Sequence, residues 1–150
     1  MADLQVYFGD NMQVCSTFNS DLFDLIYIDP PFNTQKKQSR GEISYDDKFS
    51  DYDEFLKPRL KEARRLLKPN GSLFVHLDYR ESHYAKIWLD DIFGRDCFQN
   101  EIIWAYDYGA RTKKRWSAKH DNILWYTKSA DDFKFDIDAC ERIPYMAPGL

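Results

Sequence analysis

Leu22-Phe23-Asp24-Leu25-Ile26-Tyr27-Ile28-Asp29-Pro30-Pro31-Phe32 is the stretch on which the fold of this chain turns. Its first seven residues are mostly apolar and rich in β-branched and aromatic types. A run with apolar residues on both faces predicts a central strand of a parallel sheet covered on both sides. Pro30 and Pro31 stop it, because neither can donate to a strand ladder. Asp29 then stands at the carboxyl end of a buried strand, the edge at which open α/β sheets bind their ligands.

Asp29, Pro30, Pro31 and Phe32 together suit one task. Asp29 offers a carboxylate acceptor, and Pro30 offers a backbone carbonyl with no competing N–H. The proline pair holds both acceptors nearly rigid. Phe32 offers a flat ring for stacking. Two acceptors can take the two N–H bonds of an exocyclic amino group while the ring stacks on the base that carries it. The lone pair of such an amine is delocalised into its ring. Two aligned acceptors favour pyramidalisation and turn that lone pair toward an electrophile. The plainer alternative is a strand ended by a Pro-Pro turn with an incidental Asp and Phe.

The composition sets bounds on both readings. A chain of 150 residues is long enough for one domain with a core. Aromatic residues make up 17 %, high enough to serve base stacking as well as a core. The net charge of −4 excludes a uniformly basic nucleic-acid binder, so charge has to be read locally. Cys15, Cys97 and Cys140 are widely spaced and odd in number, which argues against a disulfide framework or a zinc site and fits a reduced cytoplasm. Met1-Ala2-Asp3 begins acidic with no apolar h-region after it, so no signal peptide is expected. No apolar run reaches ~18 residues, and no membrane span or membrane partner is expected.

Outward from the central stretch, Gln5-Val6-Tyr7-Phe8 predicts a short strand closed by the turn Gly9-Asp10-Asn11, with a short helix from Met12 to Phe18. Asp10 either accepts hydrogen bonds from a ligand at the edge shared with Asp29 or simply caps that helix. After Phe32, residues 33–41 are polar and carry Lys36, Lys37 and Arg40 with no acid. They read as a mobile loop, either closing over a nucleic-acid backbone or merely solvated. Residues 42–54 reverse the sign, with six acids against one lysine. These acids suit the start of a helix from Asp51 to Lys68. Its apolar face is Leu56, Leu60, Ala63 and Leu67, with a kink or break at Pro58 and a stop at Pro69-Asn70-Gly71.

Ser72 to Asp78 predicts the next parallel strand, which brings Asp78 to the same edge. His76, inside that apolar run, reads as a satisfied core histidine. A helix from Glu81 to Phe93, with Tyr84, Ile87, Trp88 and Ile92 on or near one face, leads to a third parallel strand over Phe98–Tyr106. Residues 107–120 carry five basic residues against one acid: Arg111, Lys113, Lys114, Arg115 and Lys119, with Trp116 among them. Such a loop can contact phosphates and stack on a base, or be a surface loop with chance charge. His120 to Lys128 is the last strand, expected to return antiparallel. From Ser129 the chain is acidic and irregular.

The tetrapeptide after its strand resembles the catalytic motif of amino-group DNA methyltransferases, which form N6-methyladenine or N4-methylcytosine. Lys68-Pro69-Asn70-Gly71-Ser72 with the strand to Asp78 is similar to further family stretches. So are Asn100-Glu101-Ile102-Ile103-Trp104 and His120-Asp121-Asn122-Ile123-Leu124, and the likeness covers nearly the whole sequence. It implies an α/β, Rossmann-like methyltransferase sheet, mostly parallel with one antiparallel strand. It implies catalysis by Asp29, Pro30, Pro31 and Phe32 without a metal, S-adenosyl-L-methionine held by Asp10 and Asp29, and double-stranded DNA held by Lys36, Lys37, Arg40, Arg111, Lys113, Lys114, Arg115, Trp116 and Lys119. An acid at the first motif position with Phe at the fourth favours adenine N6, since cytosine N4 enzymes more often carry Ser there. RNA bases and glutamine side chains are the substrates of similar Pro-Pro-aromatic turns, usually with Asn first.

The order of motifs resembles a permuted class with the catalytic half first. Residues 1–128 are then expected to be that half, and 129–150 an irregular lead toward a target-recognition region. No Gly-x-Gly stands beside an apolar strand, so the cradle for the methionine end of the cofactor is not found. The sheet is therefore expected to be incomplete, with the cofactor half or a second copy completing it, and the chain is expected to be a fragment that is not active alone. A restriction enzyme is an implied counterpart. The competing expectation is a truncated, non-enzymatic DNA-binding remnant.

Overall fold

The structure, a computed structural model, describes residues 4–41, 43–109 and 111–141, without the side chains of Arg40 and Ile43. Strand β1 (Phe23–Ile28) forms as expected and pairs in parallel with β4 (Leu67–Leu77), setting Tyr27 against Phe74 and Ile28 against Val75. Among the described residues the main sheet has four strands in the order β1-β4-β6-β5. Strand β6 (His120–Thr127) is antiparallel to both β4 and β5 (Phe98–Ala105). β1, β4 and β5 therefore run one way, with the single reversed strand inserted between β4 and β5. This is the α/β sheet that the sequence implies, and it puts the ends of β1, β4 and β5 and the start of β6 along one edge.

Helices α2 (Tyr52–Leu66) and α3 (Ser82–Phe93) cover one face of the sheet. The core is built from Leu56, Leu60 and Ala63 of α2, Leu73, Val75 and Leu77 of β4, Ala85, Leu89 and Phe93 of α3, and Leu124 and Tyr126 of β6. The alternation along β4 decides what faces what: Leu73, Val75 and Leu77 are buried under the helices, while Phe74 and His76 point to the other face. On that face Phe74 stacks on Trp125 at 5.7 Å, and Phe133 and Phe135 of the irregular segment pack on Trp125. Lys134 and Lys68 both bond the Asp24 carboxylate, which holds its pKa down to about 2 and ties that segment to β1. None of the described helices is long and apolar enough to cross a membrane.

Several expectations are corrected. Among the described residues β1 is an edge strand rather than a central, doubly covered one, as an incomplete sheet requires, and Leu25 on its open face is 56 % exposed. Gln5-Val6-Tyr7-Phe8 forms no strand, because it pairs with no ladder and lies largely exposed, with Tyr7 resting edge-on against Phe18. The helix after Asp10 is shorter, α1 (Asn11–Cys15). Residues 33–41 are not a mobile loop. They enter a hairpin of β2 (Lys36–Arg40) and β3 (Ile43–Asp47), turned at Gly41 with φ +62°. Asp46 and Asp47 belong to that hairpin, and Asp53 and Glu54 are the acids in the first turn of α2.

α2 runs unbroken through Pro58, and Arg59 Nη1 donates to the Phe55 carbonyl at 2.7 Å. It ends at Leu66, and Lys68–Gly71 bulges within β4, where the register to β1 shifts. α3 buries Ala85, Leu89 and Phe93, leaving Tyr84 and Ile87 exposed, because its i, i+4, i+8 row of small and apolar residues fits the sheet better. Residues 129–141 are irregular, and Pro148-Gly149-Leu150 lies outside the described residues.

Leu60 has no exposed surface and sits at the centre of the α2–sheet interface. Leu60→Ala is expected to cost about 2–5 kcal/mol through lost burial and the cavity left behind. Urea denaturation followed by circular dichroism measures it.

Candidate active site

The end of β1 delivers Asp29 to the surface, while Pro30 is buried and Phe32 packs partly against the core. The buried Tyr52 hydroxyl donates to the Pro31 carbonyl at 2.5 Å. Burial, with the Glu81 and Asp47 charges nearby, pushes the Tyr52 pKa well up, so the hydroxyl stays a donor. The Pro31 carbonyl is thereby engaged, and Asp29 and the Pro30 carbonyl remain as the motif's two acceptors for a ligand.

Beyond Phe32 the backbone is held by one carboxylate. Asp47, at the end of β3, is 1 % exposed. It accepts from the Asn33 N–H at 2.7 Å, the Thr34 N–H at 3.1 Å and the Thr34 hydroxyl at 2.5 Å. Asn33 and Gln35 on either side adopt left-handed φ of 54° and 61°, a conformation Asn tolerates better than most residues. Asn33 is tied by its side chain as well. Its amide donates to Glu81 at 2.7 Å, and its oxygen accepts from the Phe49 N–H at 3.0 Å. The segment that follows the motif is therefore rigid.

Beneath Phe32 lies His76, with ring centroids 5.5 Å apart. Its two ring nitrogens meet the Tyr27 hydroxyl at 2.8 Å and the Asp121 carboxylate at 3.3 Å, and the Tyr106 hydroxyl donates to the other Asp121 oxygen at 3.2 Å. The satisfied reading of His76 holds, but at the ligand edge rather than deep in the core. Burial first, then Asp29 and Asp121, raises the Tyr27 pKa. A protonated Tyr27 donating to Nδ1 leaves Nε2–H to donate to Asp121, a consistent proton count. Neighbouring Asp78, at the end of β4, is also raised by burial despite its bonds to Arg80.

Two cavities meet at the motif. One, of about 600 Å³, is lined by Asp29, Pro30, Pro31 and Phe32 together with Thr34, Gln38, Tyr45 and Asp47 of the hairpin region. The other, of about 390 Å³, shares Asp29, Pro30 and Pro31 and adds Gly9, Asp10, Asn11, Phe55 and Arg59. Asp10 is brought to the same site as Asp29. Its Oδ1 caps α1 through the Met12 N–H at 2.9 Å, and its Oδ2 accepts from Arg59 at 2.7 Å. The cap reading of Asp10 holds, and the residue also lines the second cavity.

The basic residues divide. Lys36 and Lys37 stand opposite Asp47 and Asp46 in the hairpin register, so their charge is offset locally. Arg40 has its backbone in β2, and its side chain lies outside the described residues. Arg111, Lys113, Lys114 and Arg115 are exposed on the loop between β5 and β6, at the Asp29 edge, and Trp116 is 98 % exposed. Lys119 instead donates to the Tyr108 and Gly109 carbonyls at 2.5 and 3.2 Å and braces its own loop. Sequence reasoning missed Asp47, Tyr52, Gln38 and Tyr45. Gly41 between two short polar runs was the one available signal for the hairpin that carries Gln38, Tyr45 and Asp47.

The chain matches the model of the N6/N4 DNA methylase family over residues 23–145, and it belongs to that family. It is 34 % identical over 134 residues to the type II methyltransferase M.KpnI of Klebsiella pneumoniae, covering 83 % of this chain and 32 % of the relative. It is 29 % identical over 142 residues to the type II methyltransferase M.HpaI of Haemophilus parainfluenzae, covering 95 % and 44 %. The chain thus spans less than half the length of either relative. The crystal structure of the M1.HpyAVI–SAM complex superposes with a TM-score of 0.64 at 20 % identity, over 93 % of this chain and 62 % of that one, which shows a shared fold.

Asp47→Asn keeps the size but sets an amide N–H against the Thr34 donors. It is expected to destabilise the protein by about 1–3 kcal/mol through unmet buried groups. Chemical denaturation measures that loss, and faster amide exchange at Asn33 and Thr34 locates it.

Proposed function

We propose that this chain carries the catalytic region of a DNA amino-methyltransferase acting on adenine N6. The observation that carries the reading is that Asp29-Pro30-Pro31 is the partition shared by two cavities. A transfer between two bound molecules needs such a wall, with the reacting group of each reaching the same point. The larger cavity, with Phe32, suits a flat base extruded from a duplex at a cost of a few kcal/mol. The smaller one, with Asp10, Asn11 and Asp29, offers acceptors for the hydroxyl and amino groups of S-adenosyl-L-methionine. When bound, that cofactor supplies a methyl group on a sulfonium centre.

The residues of this chain do the positioning. Phe32 stacks on the base, backed by His76. The Asp29 carboxylate and the Pro30 carbonyl accept the two N6 hydrogens and localise the nitrogen lone pair, directing it away from the base plane. Tyr52, by occupying the Pro31 carbonyl, fixes which carbonyl is free. Asp29 also stabilises the positive charge that grows on nitrogen and accepts the proton it sheds. Preorganised acceptors of this kind act without reorganisation at the moment of reaction. The exposed Arg111, Lys113, Lys114 and Arg115 hold DNA phosphates, and Trp116 stacks on a base. The open edge of β1, exposing Leu25 and Tyr27, is where further strands would complete the sheet. A restriction endonuclease reading the same site is the natural counterpart, and the cytoplasm is where both would meet DNA.

A full-length protein that carries this chain together with a cofactor-binding half is expressed in a methylation-deficient bacterial host, and genomic nucleosides are quantified by mass spectrometry. The expected product is N6-methyldeoxyadenosine, with Asp29→Ala lowering its rate of formation by about 10²–10³-fold. N4-methyldeoxycytidine would overturn the base assignment. DNA binding without either product would favour the non-enzymatic reading. In salt titrations of DNA affinity, Arg111→Ala is expected to reduce the slope of log K against log salt by about 0.9.

A further inference from the structure

The larger cavity has a second wall. Of the residues that face the motif across it, Asp47 and Thr34 are engaged with each other. Gln38 and Tyr45 are not explained by that bond. They are directly opposed partners in the β2–β3 register, so their side chains stand together on one face of the hairpin. A two-stranded ribbon buries no core of its own, and folding gives little reason for an aromatic ring there. Yet Tyr45 is 52 % exposed as a residue while lining the cavity that Phe32 also lines. Gln38 donates one amide hydrogen to the Thr34 hydroxyl at 2.8 Å, and its carboxamide oxygen is not used in that bond. The Asp47 bonds anchor the hairpin two residues from Tyr45, so the ring is carried on a fixed base.

We propose that the β2–β3 hairpin is the second jaw of the base pocket, with Tyr45 stacking on the face opposite Phe32 and Gln38 bonding the base edge. This rests on the reading of the larger cavity as the base site, and it goes further by naming what closes over the base. A purine between two rings has both faces removed from water, and Gln is well matched to adjacent donor and acceptor atoms of adenine. The cavity of about 600 Å³ lies within the range of small-molecule sites.

The test uses the chain with a dye-labelled duplex that carries 2-aminopurine opposite an abasic site, a base already free to leave the stack. Dye anisotropy reports DNA affinity, and 2-aminopurine fluorescence reports stacking. The wild type is expected to bind and to quench the base. Tyr45→Leu is expected to relieve the quench and to weaken the base-dependent part of the affinity by about tenfold, whereas Tyr45→Phe retains both. Tyr45 is half exposed, so the fold of the Leu variant is checked by circular dichroism and is expected to be unchanged. A Tyr45→Leu protein that quenches like the wild type, while Phe32→Leu does not, overturns the hairpin's role and leaves the base pocket standing. If the wild type fails to quench, or neither variant changes the signal, the base pocket itself is overturned, and the hairpin's role with it.

Discussion

The buried carboxylate of Asp47 is the constraint on which the site depends. A charged group with 1 % exposure is costly unless its oxygens are satisfied, and here three donors from Asn33 and Thr34 converge on it. Those bonds fix the chain leaving Phe32 just as the prolines fix the chain entering it. The motif is thus clamped at both ends: by ring geometry on one side and by a buried charge on the other. Two left-handed residues, Asn33 and Gln35, are tolerable in this setting because the surrounding bonds over-determine them. Placement of acceptors is the catalytic device in the proposed reaction, and looseness here would cost it directly.

A second support runs across the sheet. Tyr27 of β1, His76 of β4, Asp121 of β6 and Tyr106 just past β5 form one chain of hydrogen bonds along the ligand edge. It crosses all four strands of the main sheet among the described residues, so the relative height of each strand is registered by side chains as well as by the ladders. Phe32 rests on its middle member. The ring proposed to stack on a base is therefore referenced to the sheet, while the Asp29 carboxylate is referenced to β1 alone. Each member of this hydrogen-bonded series has a polar partner, as buried or half-buried groups need.

What was legible in the sequence was whatever depended on strong local periodicity. β1, β4, β6 and both long helices follow from apolar runs and the i, i+4 spacing of Leu56 and Leu60, and the turn at Asp29-Pro30 follows from proline chemistry. The hairpin was illegible because its strands are polar: Lys36-Lys37-Gln38-Ser39 shows no apolar alternation, and its stability comes from pairing and from Asp47, neither visible in a window of sequence. The edge position of β1 was misread for a related reason. Apolar side chains on both faces predict cover on both faces, and only the sheet order shows that one face of β1 meets solvent. On α3 the large residues Tyr84 and Ile87 suggest a face that is in fact exposed, while the small Ala85 is buried and lets helix and sheet approach closely.

The charge distribution completes the account of the site. The chain is net negative, which by itself opposes a polyanionic partner. Screening decides the matter, because at physiological salt charges interact over about 8 Å. What DNA would feel at the ligand edge is then the local field. Of the two basic segments, residues 36–47 carry Lys36, Lys37 and Arg40 against Glu42, Asp46 and Asp47 in sequence, a stretch with no net charge. The loop between β5 and β6 has Arg111, Lys113, Lys114 and Arg115 exposed against the single Asp107, with Lys119 turned inward to brace it. The two segments thus divide the labour that their similar lysine content hides. The hairpin is locally balanced in charge and anchored, as closing on an uncharged base in the proposed reaction would require, and the loop is positive and exposed, as holding phosphates in that reaction would require.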